Sequence, residues 1–243
     1  MKCLLFAAGL GTRLKPLTDR MPKAMVPVAG QPLLQIALDR LVEAGATEIV
    51  VNVHHFADQI KDYIATHDFP VPVIISDESD MLLDTGGGLK KAAGLFSERK
   101  EPILIHNVDV LSNADLPGFY SAGREREAAL LVSERESSRY LLFDDDMRLR
   151  GWTNVKTGEV RSPYGDIDVS AFRRYAFSGI HLFSPSLLKD MEKFPERFLI
   201  MDFYLSRCAE RDICGVVADD LRLLDVGKTD TLAQAADFLR CNA

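Results

Sequence analysis

The sequence is poor in cysteine and in long apolar runs. Its 243 residues include four cysteines, and no two of them form a CxxC pair: Cys3, Cys208, Cys214 and Cys241. This spacing favours neither a zinc knuckle nor a disulfide framework. The first apolar run, residues 3–8, is broken by Gly9 and is too short for a secretory signal or for the ~20 residues of a membrane span. We therefore expect a soluble, reduced, cytoplasmic protein with no membrane partner.

Positive charge is also in short supply. The chain carries 29 Lys and Arg against 36 Asp and Glu, a formal net charge of −7 at pH 7. This balance argues against a protein that coats nucleic acid, although it allows a local basic pocket for one phosphorylated ligand. Repeats, low-complexity tracts and Pro/Gly/Ser-rich linkers are absent as well. We expect one domain over residues 1–243, with an inserted lobe at about 134–176 where the sequence turns polar and loses its helical period.

The first half of the chain contains apolar runs of strand length that alternate with amphipathic runs of helix length. Strands are predicted at residues 2–8, 48–54, 71–76 and 102–108, and helices at 32–44, 57–66 and 87–96. Continuous apolar strands separated by helices favour a parallel sheet covered on both faces. We therefore predict an α/β fold, a three-layer α/β/α Rossmann-like domain with a mainly parallel sheet and ligands at the carboxyl ends of its strands.

A glycine-rich loop follows the first predicted strand. Gly9 and Gly11 allow main-chain N–H groups to approach an anion. Four cations follow within eleven residues: Arg13, Lys15, Arg20 and Lys23. The dinucleotide fingerprint needs a third glycine where this chain has Leu14, and the GxxxxGK[ST] phosphate loop is absent. The loop serves neither NAD nor a kinase-type phosphate site, and taken alone it is also compatible with an ordinary turn that carries solvated cations.

Residues 4–34, LLFAAGLGTRLKPLTDRMPKAMVPVAGQPLL, resemble the signature of sugar-1-phosphate nucleotidyltransferases, AGxGTRLxPLTxxxPKxMxPVxGxPxL. The resemblance covers most of the chain in the family's order, through LDTGGG at 83–88, NVD at 107–109, FSGI at 177–180 and DVG at 225–227. It implies transfer of a nucleotidyl group from a nucleoside triphosphate to a sugar 1-phosphate, with release of pyrophosphate. These two compounds are the implied partners, and the inserted lobe is implied to bind the sugar.

The implied reaction needs positive charge rather than a general base. A sugar 1-phosphate is already anionic near pH 7, because the second pKa of a phosphate monoester is about 6. The resemblance assigns two catalytic cations, which neutralise the anionic partners and hold them in line. Arg13 suits the leaving pyrophosphate with its planar fork of donors. Lys23 reaches the region of the α-phosphate as a point charge.

The resemblance also implies a metal site. Mg²⁺ takes one or two carboxylates together with substrate phosphates, and Asp109 and Asp225 match family metal positions. Val108 stands where relatives commonly have glycine, and it narrows the space beside this site. Nucleotide contacts are implied at Ala7, Ala8, Gly9, Gly11, Thr12, Asp84, Gly86, Gly87 and Asn107, and sugar contacts at Asn154, Ser178 and Gly179.

Several substrates and functions share this pattern. TGGG, FSGI and the short chain favour UTP with N-acetylmuramic acid 1-phosphate, a pair that belongs to cell-wall recycling. A mannose- or heptose-1-phosphate guanylyltransferase is the alternative, followed by a non-catalytic regulator that binds nucleotide sugars. A metal-dependent glycosyltransferase is expected to show DxD where this chain has NVD. The lobe supplies six cations that suit a lactyl carboxylate as well as the phosphate: Arg135, Arg139, Lys156, Arg161, Arg173 and Arg174. No oligomeric state follows from the sequence.

Overall fold

The structure is a computed structural model that describes residues 1–98 and 100–241. Its strands are β1 (Lys2–Phe6), β2 (Pro27–Val28), β3 (Gln31–Pro32), β4 (Glu48–Val53), β5 (Val73–Asp77), β6 (Ile103–Asn107), β7 (Val110–Ser112), β8 (Ala128–Ser133), β9 (Arg139–Phe143), β10 (Leu149–Asn154), β11 (Glu159–Arg161), β12 (Arg173–Phe183), β13 (Ile213–Val217) and β14 (Leu223–Asp225). Its α-helices are α1 (Leu33–Glu43), α2 (Ala57–Thr66), α3 (Asp84–Ala92), α4 (Leu116–Gly123), α5 (Leu188–Met191), α6 (Ile200–Arg207) and α7 (Thr229–Cys241). The expected domain span of 1–243 also contains residues 99, 242 and 243, which lie outside the described residues.

The central part of the main sheet has the strand order β5-β4-β1-β6-β12-β8-β13. β1 pairs in parallel with β4 on one side and with β6 on the other, so that Phe6 is in register with both Asn52 and Asn107. Within this set of strands, β12 alone runs opposite to its neighbours. The predicted mainly parallel sheet is confirmed, and the carboxyl ends of β1, β4 and β6 lie side by side.

Helices cover both faces of this sheet. On β1, Cys3 and Leu5 pack into one core cluster with residues of α1, α2 and α4, whereas Leu4 and Phe6 pack into a second with residues of α3, α5 and α6. Successive side chains of a strand point to opposite faces, so a strand that is apolar on both faces needs a helical layer on each side. This is the predicted three-layer architecture. Among the described residues, no helix is both long and apolar enough to span a membrane.

Two helices differ from what the sequence pattern predicts. α3 begins at Asp84 instead of residue 87, so the glycine run lies in its first turns. Glycine is a poor helix former, and packing of this run against the segment before α6 compensates for that. The pattern does not predict α4, because Pro117 and two glycines interrupt it. Asp115 caps this helix by accepting a hydrogen bond from the Gly118 N–H at 3.0 Å.

An antiparallel extension, defined here as β9, β10 and β11, continues the sheet through the first half of β12. Residues 173–175 of β12 pair with β9, whereas residues 181–183 pair with β6. A register shift between Phe177 and His181 separates the two halves. Because the first half of β12 lies beyond the carboxyl end of β6, the extension stands beside the edge where a ligand is expected.

Candidate active site

A first cavity, of about 440 Å³, opens at the carboxyl ends of β1 and β6. The loop after β1 forms one wall, and Leu199 lies across from it in the segment before α6. Ten of the predicted site residues line this space: Ala7, Ala8, Gly9, Gly11, Thr12, Arg13, Lys23, Asp84, Asn107 and Asp109. Segments far apart in the sequence are thus brought around one volume.

Lys23 lies at the centre of the charges in this cavity. Its ammonium group makes a hydrogen-bonded ion pair with Asp109 and lies 3.9 Å from Oδ1 of Asp225. The Arg13 guanidinium lies 3.9 Å from the other carboxylate oxygen of Asp225. The Lys23 side chain is only 9% exposed, whereas that of Asp225 is 54% exposed. Two cations and two carboxylates therefore form one neutral cluster that is buried at Lys23 and open to solvent at Asp225.

Backbone pairing holds the two carboxylates near each other. β14 pairs with β7 so that Asp225 is in register with Val110. The Val226 N–H donates to the Asp109 carbonyl oxygen at 2.8 Å. Because Asp109 lies two residues after the end of β6, the cluster is anchored to the central sheet.

The chemistry of this donor set fits a divalent cation that prefers hard oxygen ligands. Mg²⁺ uses one or two carboxylates and completes its shell with water and phosphate oxygens. Over residues 1–98 and 100–241, no group of three or more His, Cys, Asp or Glu side chains is placed to hold a metal ion. Two protein carboxylates would therefore be completed by substrate and water. Adding a divalent ion would give the neutral cluster a net positive charge, which suits a triphosphate.

Asn52 and Glu78 are two buried residues that the sequence analysis does not single out. Asn52 Oδ1 accepts hydrogen bonds from the N–H groups of Ala7 at 2.8 Å and Ala8 at 3.3 Å. The Asn52 amide donates to Glu78 Oε1 at 2.8 Å, and the Leu83 N–H donates to Glu78 Oε2 at 3.2 Å. Burial raises the pKa of Glu78 above its ordinary value. The N–H groups of Ala7 and Ala8 are therefore satisfied within the fold.

Gly86 and Gly87 do not line the cavity, in contrast to their predicted contact with the nucleotide. Their N–H groups donate to the Phe198 carbonyl oxygen at 2.8 and 3.3 Å. A Cβ atom on Gly86 would lie 2.3 Å from the Phe198 ring, and one on Gly87 would lie 2.1 Å from the Glu196 carbonyl oxygen. These glycines therefore allow the segment before α6 to approach α3 closely.

The start of α3 is tied to the same segment by two further contacts. The carboxylate of Asp84 accepts a hydrogen bond from Arg197 at 2.7 Å. The hydroxyl oxygen of Thr85 accepts one from the Ile200 N–H at 3.0 Å. Asp84 therefore lines the first cavity with its charge already paired with Arg197. The two hydrogen bonds hold the start of α3 against the segment before α6.

A second cavity, of about 460 Å³, adjoins the first. Phe6, Thr85, Asn107 and Leu199 line both cavities. The other walls of the second cavity come from the antiparallel extension, its flanking residues, β12, α6 and β14: Arg135, Ser137, Arg139, Tyr140, Leu141, Trp152, Phe177, Gly179, His181, Ile200, Met201 and Asp225. Because Asp109 lines the first cavity and Asp225 lines the second, the two carboxylates stand at the junction of one continuous cleft.

Of the three residues predicted to contact the sugar, Gly179 lines the second cavity and the other two do not. The Ser178 hydroxyl is buried, donates to the Leu131 carbonyl oxygen at 2.7 Å and accepts a backbone N–H at 3.1 Å. The Asn154 side chain lies at the outer end of β10 and accepts a hydrogen bond from the Lys156 N–H at 3.1 Å. The Ser178 hydroxyl and the side-chain oxygen of Asn154 are therefore bonded within the fold.

Gly179 is the residue at which β12 passes the end of β6. Its φ is +85°, a conformation that side chains other than glycine rarely adopt. A Cβ atom here would lie 2.7 Å from the side-chain nitrogen of Asn107. Gly179 thus leaves room for Asn107, which is shared by the two cavities.

The six cations predicted for the lobe separate into two groups. Arg135 and Arg139 line the second cavity. Arg161 and Arg173 lie outside it and form ion pairs, Arg161 with Asp202 at 2.6 Å and Arg173 with Asp145 at 3.1 Å. Lys156 and Arg174 also lie outside it, in the turn after β10 and on β12.

Comparisons with known proteins identify the family of the chain. The family described as "Nucleotidyl transferase" matches residues 2–241. A protein of Caulobacter vibrioides named N-acetylmuramate alpha-1-phosphate uridylyltransferase is 31% identical over 229 residues, covering 90% of this chain and 88% of the relative. A protein of the same name from Neisseria meningitidis is 30% identical over 200 residues, covering 79% of each chain.

The solved structures show the same fold. HddC from Yersinia pseudotuberculosis has a TM-score of 0.77 and 21% sequence identity, covering 98% of this chain and 99% of that chain. The chain belongs to the nucleotidyl transferase family. Its prediction as a sugar-1-phosphate nucleotidyltransferase is confirmed.

Proposed function

We propose that this protein transfers a uridylyl group from UTP to N-acetylmuramic acid 1-phosphate, with Mg²⁺ as the metal ion, and releases pyrophosphate. The observation that carries the proposal is the cluster of Lys23, Asp109 and Asp225 at the junction of the two cavities. The glycine-rich loop beside this cluster suits the nucleotide, and the guanidinium groups of the second cavity suit an anionic sugar. The two relatives named for this activity support the choice of substrates.

In the proposed reaction, a phosphate oxygen of the sugar 1-phosphate attacks the α-phosphorus of UTP. The bond from the α-phosphorus to the oxygen that bridges to the β-phosphate breaks, and pyrophosphate leaves. The nucleophile is already anionic near pH 7, since its second pKa is about 6, so no side chain has to remove a proton. The chain holds two mutually repelling anions in line and offsets their charge.

Lys23 and Arg13 supply the positive charge of the chain in this step. Lys23 is nearly buried between the two carboxylates, which suits a contact with the α-phosphate at the junction of the cavities. Arg13 is more than half exposed at the mouth of the first cavity, which suits the leaving pyrophosphate. Its planar guanidinium can donate to two phosphate oxygens at once.

Asp109 and Asp225 would hold the Mg²⁺ ion, which supplies a Lewis acid that neutralises phosphate charge. Gly9, Gly11, Thr12 and Asn107 form the remaining nucleotide contacts that the geometry favours. Gly179 lies on the sugar side. Asp84 is available as a wall of the nucleotide site, with its charge balanced by Arg197.

The proposed reaction belongs to the recycling of cell-wall sugars in the cytoplasm. UTP is present there, and all four cysteines, which are among the described residues, are free thiols, as expected in a reducing compartment. The mannose- or heptose-1-phosphate guanylyltransferase is the competing assignment, and it would use the same carboxylate cluster.

A pyrophosphate-release assay over a panel of substrates tests the proposal. UTP, GTP, CTP and dTTP are each combined with the 1-phosphates of N-acetylmuramic acid, N-acetylglucosamine and mannose, with Mg²⁺ or with a chelator. We expect the highest kcat/KM for UTP with N-acetylmuramic acid 1-phosphate, and no turnover in chelator. A preference for GTP with mannose 1-phosphate would overturn the substrates and leave the reaction class standing. Failure of every pair would favour a non-catalytic regulator.

A further inference from the structure

Glu78 is a buried carboxylate that no cation neutralises directly. It is 1% exposed, and it makes no ion pair with the residues that the structure describes. Glutamate is rarely buried to this extent without a charged partner, because removal of a carboxylate from water is costly. The hydrogen bonds that Glu78 makes therefore indicate why the fold retains it.

The main chain of Glu78 is fixed by the pairing of β4 with β5. Glu78 directly follows β5, and its N–H donates to the Val53 carbonyl oxygen at 2.8 Å. Its own carbonyl oxygen accepts hydrogen bonds from the Met81 N–H at 3.1 Å and from Nδ1 of His54 at 2.6 Å. The sheet therefore sets the position of the carboxylate.

A series of hydrogen bonds with a single direction connects the loop after β1 to Glu78. The N–H groups of Ala7 and Ala8 can only donate, so the atom of Asn52 that faces them is Oδ1. The amide nitrogen of Asn52 then needs an acceptor, because Asn52 is 2% exposed. Oε1 of Glu78 accepts from that nitrogen at 2.8 Å, and an ionised carboxylate can only accept. Glu78 thus determines which end of the Asn52 side chain faces the loop.

The second oxygen of Glu78 bonds to another wall of the first cavity. Oε2 accepts a hydrogen bond from the N–H of Leu83, the residue before α3, at 3.2 Å. Leu83 is buried, whereas the residues on either side of it line the first cavity. One carboxylate therefore joins two walls of this cavity, through Asn52 to the loop after β1 and directly to the start of α3.

Gly88, the last glycine of the TGGG motif, leaves room for this arrangement. It is buried in α3. A Cβ atom here would lie 2.8 Å from Oε1 of Glu78 and 3.0 Å from the side-chain nitrogen of Asn52. A larger residue would therefore push the carboxylate and the amide apart.

We infer that Glu78 is a positioning residue for the nucleoside triphosphate, which acts through Asn52 on the loop after β1 and directly on the start of α3. This inference rests on the proposed function, which places the nucleotide in the first cavity. Glu78 does not line that cavity, so its effect is indirect. Loss of one of its acceptor oxygens should weaken nucleotide binding and leave the sugar-phosphate site and the chemical step unchanged.

The test exchanges the carboxylate and the amide of the pair. In Glu78→Gln one side-chain oxygen remains for two donors, so either Asn52 or Leu83 loses its acceptor. In the double variant Asn52→Asp with Glu78→Gln, the new amide donates to the new carboxylate and still accepts from the Leu83 N–H. The other oxygen of the new carboxylate accepts from the loop, so every hydrogen bond returns with the pair reversed. Asn52→Asp alone places two carboxyl groups against each other.

Isothermal titration calorimetry with UTP and Mg²⁺, without sugar phosphate, gives the Kd of each variant. We expect Glu78→Gln and Asn52→Asp each to raise the Kd for UTP about 10-fold, within the scale of a hydrogen bond to a charged group. The double variant should bind UTP with nearly the wild-type Kd, because the two changes compensate each other. At saturating UTP, kcat and the KM for N-acetylmuramic acid 1-phosphate should stay close to the wild-type values in Glu78→Gln and in the double variant.

Glu48→Gln is the matched control. Glu48 is a buried carboxylate at the amino end of β4, 6% exposed, and it bonds to Lys2 and Ser97. It lines neither of the two cavities. This variant should lower the temperature of unfolding and leave the Kd for UTP unchanged. An increase in Kd equal to that of Glu78→Gln would overturn the inference, since it would reflect a general loss of stability.

The outcomes also separate the inference from the proposed function. If the wild-type protein binds neither UTP nor GTP, the proposed function fails and the inference fails with it. If it binds GTP instead of UTP, the proposed substrate is wrong, and the Kd values for GTP decide on Glu78 by the same criteria. If the wild-type protein and Glu78→Gln bind UTP equally well, the proposed function stands and the role of Glu78 is overturned.

The double variant decides the matter if Glu78→Gln does not fold. Recovery of both folding and UTP affinity in the double variant would support the inference. A double variant that is folded but binds UTP weakly, or one that does not fold, would overturn it.

Discussion

The two cavities of this cleft are built by different means. The first is lined by the glycine-rich loop after β1, and its charges come from a cluster anchored to the parallel part of the sheet. The second is lined by residues of the antiparallel extension, β12 and α6, several of them with long side chains. Steps that every member of the reaction class shares suit the first, whose backbone has little freedom. Choice of sugar suits the second, where side chains can change while the sheet stays the same.

The largest effects on activity are expected from substitutions at the junction of the two cavities. We expect Asp109→Asn and Asp225→Asn each to lower kcat by about 100- to 1000-fold, because a neutral amide would replace a carboxylate that faces the proposed metal ion and phosphates. Asp115→Asn is the control, since asparagine also caps a helix and α4 lies outside both cavities. Pyrophosphate release at saturating Mg²⁺ is the measurement. A near-normal rate in either variant would remove that aspartate from the metal site.

The next largest effects on activity are expected from substitutions of the two cations that line the first cavity. We expect Arg13→Ala to lower kcat by about 100-fold and to change the KM for the sugar phosphate little, since charge on the leaving pyrophosphate develops mainly in the transition state. Lys23→Ala should worsen both constants, because its ammonium group contacts charges on both sides of the junction. Lys15→Ala is the control, because Lys15 pairs with Asp19 on the surface at 3.0 Å. Small, equal effects of Arg13→Ala and Lys23→Ala would mean that the loop is only a basic surface.

The glycines around the first cavity allow a sharper comparison. In Gly86→Ala the new methyl group would lie 2.3 Å from the Phe198 ring, so we expect a loss of about 1–3 kcal/mol in the free energy of unfolding. At Gly9 a Cβ atom would meet nothing within 4 Å. Gly9→Ala should therefore keep its stability and raise the KM for UTP. Urea unfolding and steady-state kinetics are measured on both variants. A Gly86→Ala variant with unchanged stability and a raised KM for UTP would support the predicted contact of Gly86 with the nucleotide.

The smallest expected effect concerns a histidine on the wall of the second cavity. Burial lowers the pKa of His181 from 6.5 to about 3, and its Nδ1 lies 2.7 Å from the Tyr204 hydroxyl. Between these two pKa values the unfolded chain binds a proton that the folded protein does not. Stability should therefore fall as the pH drops below about 6.5, by up to about 1.4 kcal/mol per pH unit.

Urea unfolding of His181→Gln measures this contribution. In the plot of the free energy of unfolding against pH, the variant should lose the contribution of His181 to the slope between about pH 6.5 and pH 5. It should keep the contribution of His106, because burial lowers the pKa of His106 to about 4. Burial raises the pKa of Glu78, which acts in the opposite direction and is common to both proteins. A slope identical to that of the wild-type protein would mean that His181 is not the titrating group.

The sequence predicts the parallel sheet and most of the residues around the first cavity because both depend on local patterns. Residues 7–13 directly follow β1, and Asp109 lies two residues after β6, so the shared edge of a parallel sheet brings them together. Asn52 could have been singled out from the sequence, because a polar residue inside the mainly apolar run 48–53 needs a hydrogen-bond partner when it is buried. The partner itself, Glu78, lies on a loop that no local pattern specifies.

The second cavity could not be predicted in the same way. Arg139 and Trp152 become neighbours of Phe177 only after β9, β10 and the first half of β12 pair in a particular register. The sequence also does not reveal whether a polar atom faces the cleft or bonds within the fold. Ser178 and Asn154 are themselves predicted site residues, and the Ser178 hydroxyl and the Asn154 side-chain oxygen bond within the fold.

The bond between Asn52 and the loop has a thermodynamic consequence. Asn52 belongs to β4, so the main chain at residues 7 and 8 becomes ordered when β1 and β4 pair, before any substrate arrives. Fixing the backbone of one residue costs about 1–2 kcal/mol of conformational entropy. This loss occurs during folding, so the nucleotide contacts predicted for these two residues would not have to offset the cost of ordering them. The preorganisation of residues 7 and 8 is thus a property of the assembled sheet and not of the bound complex.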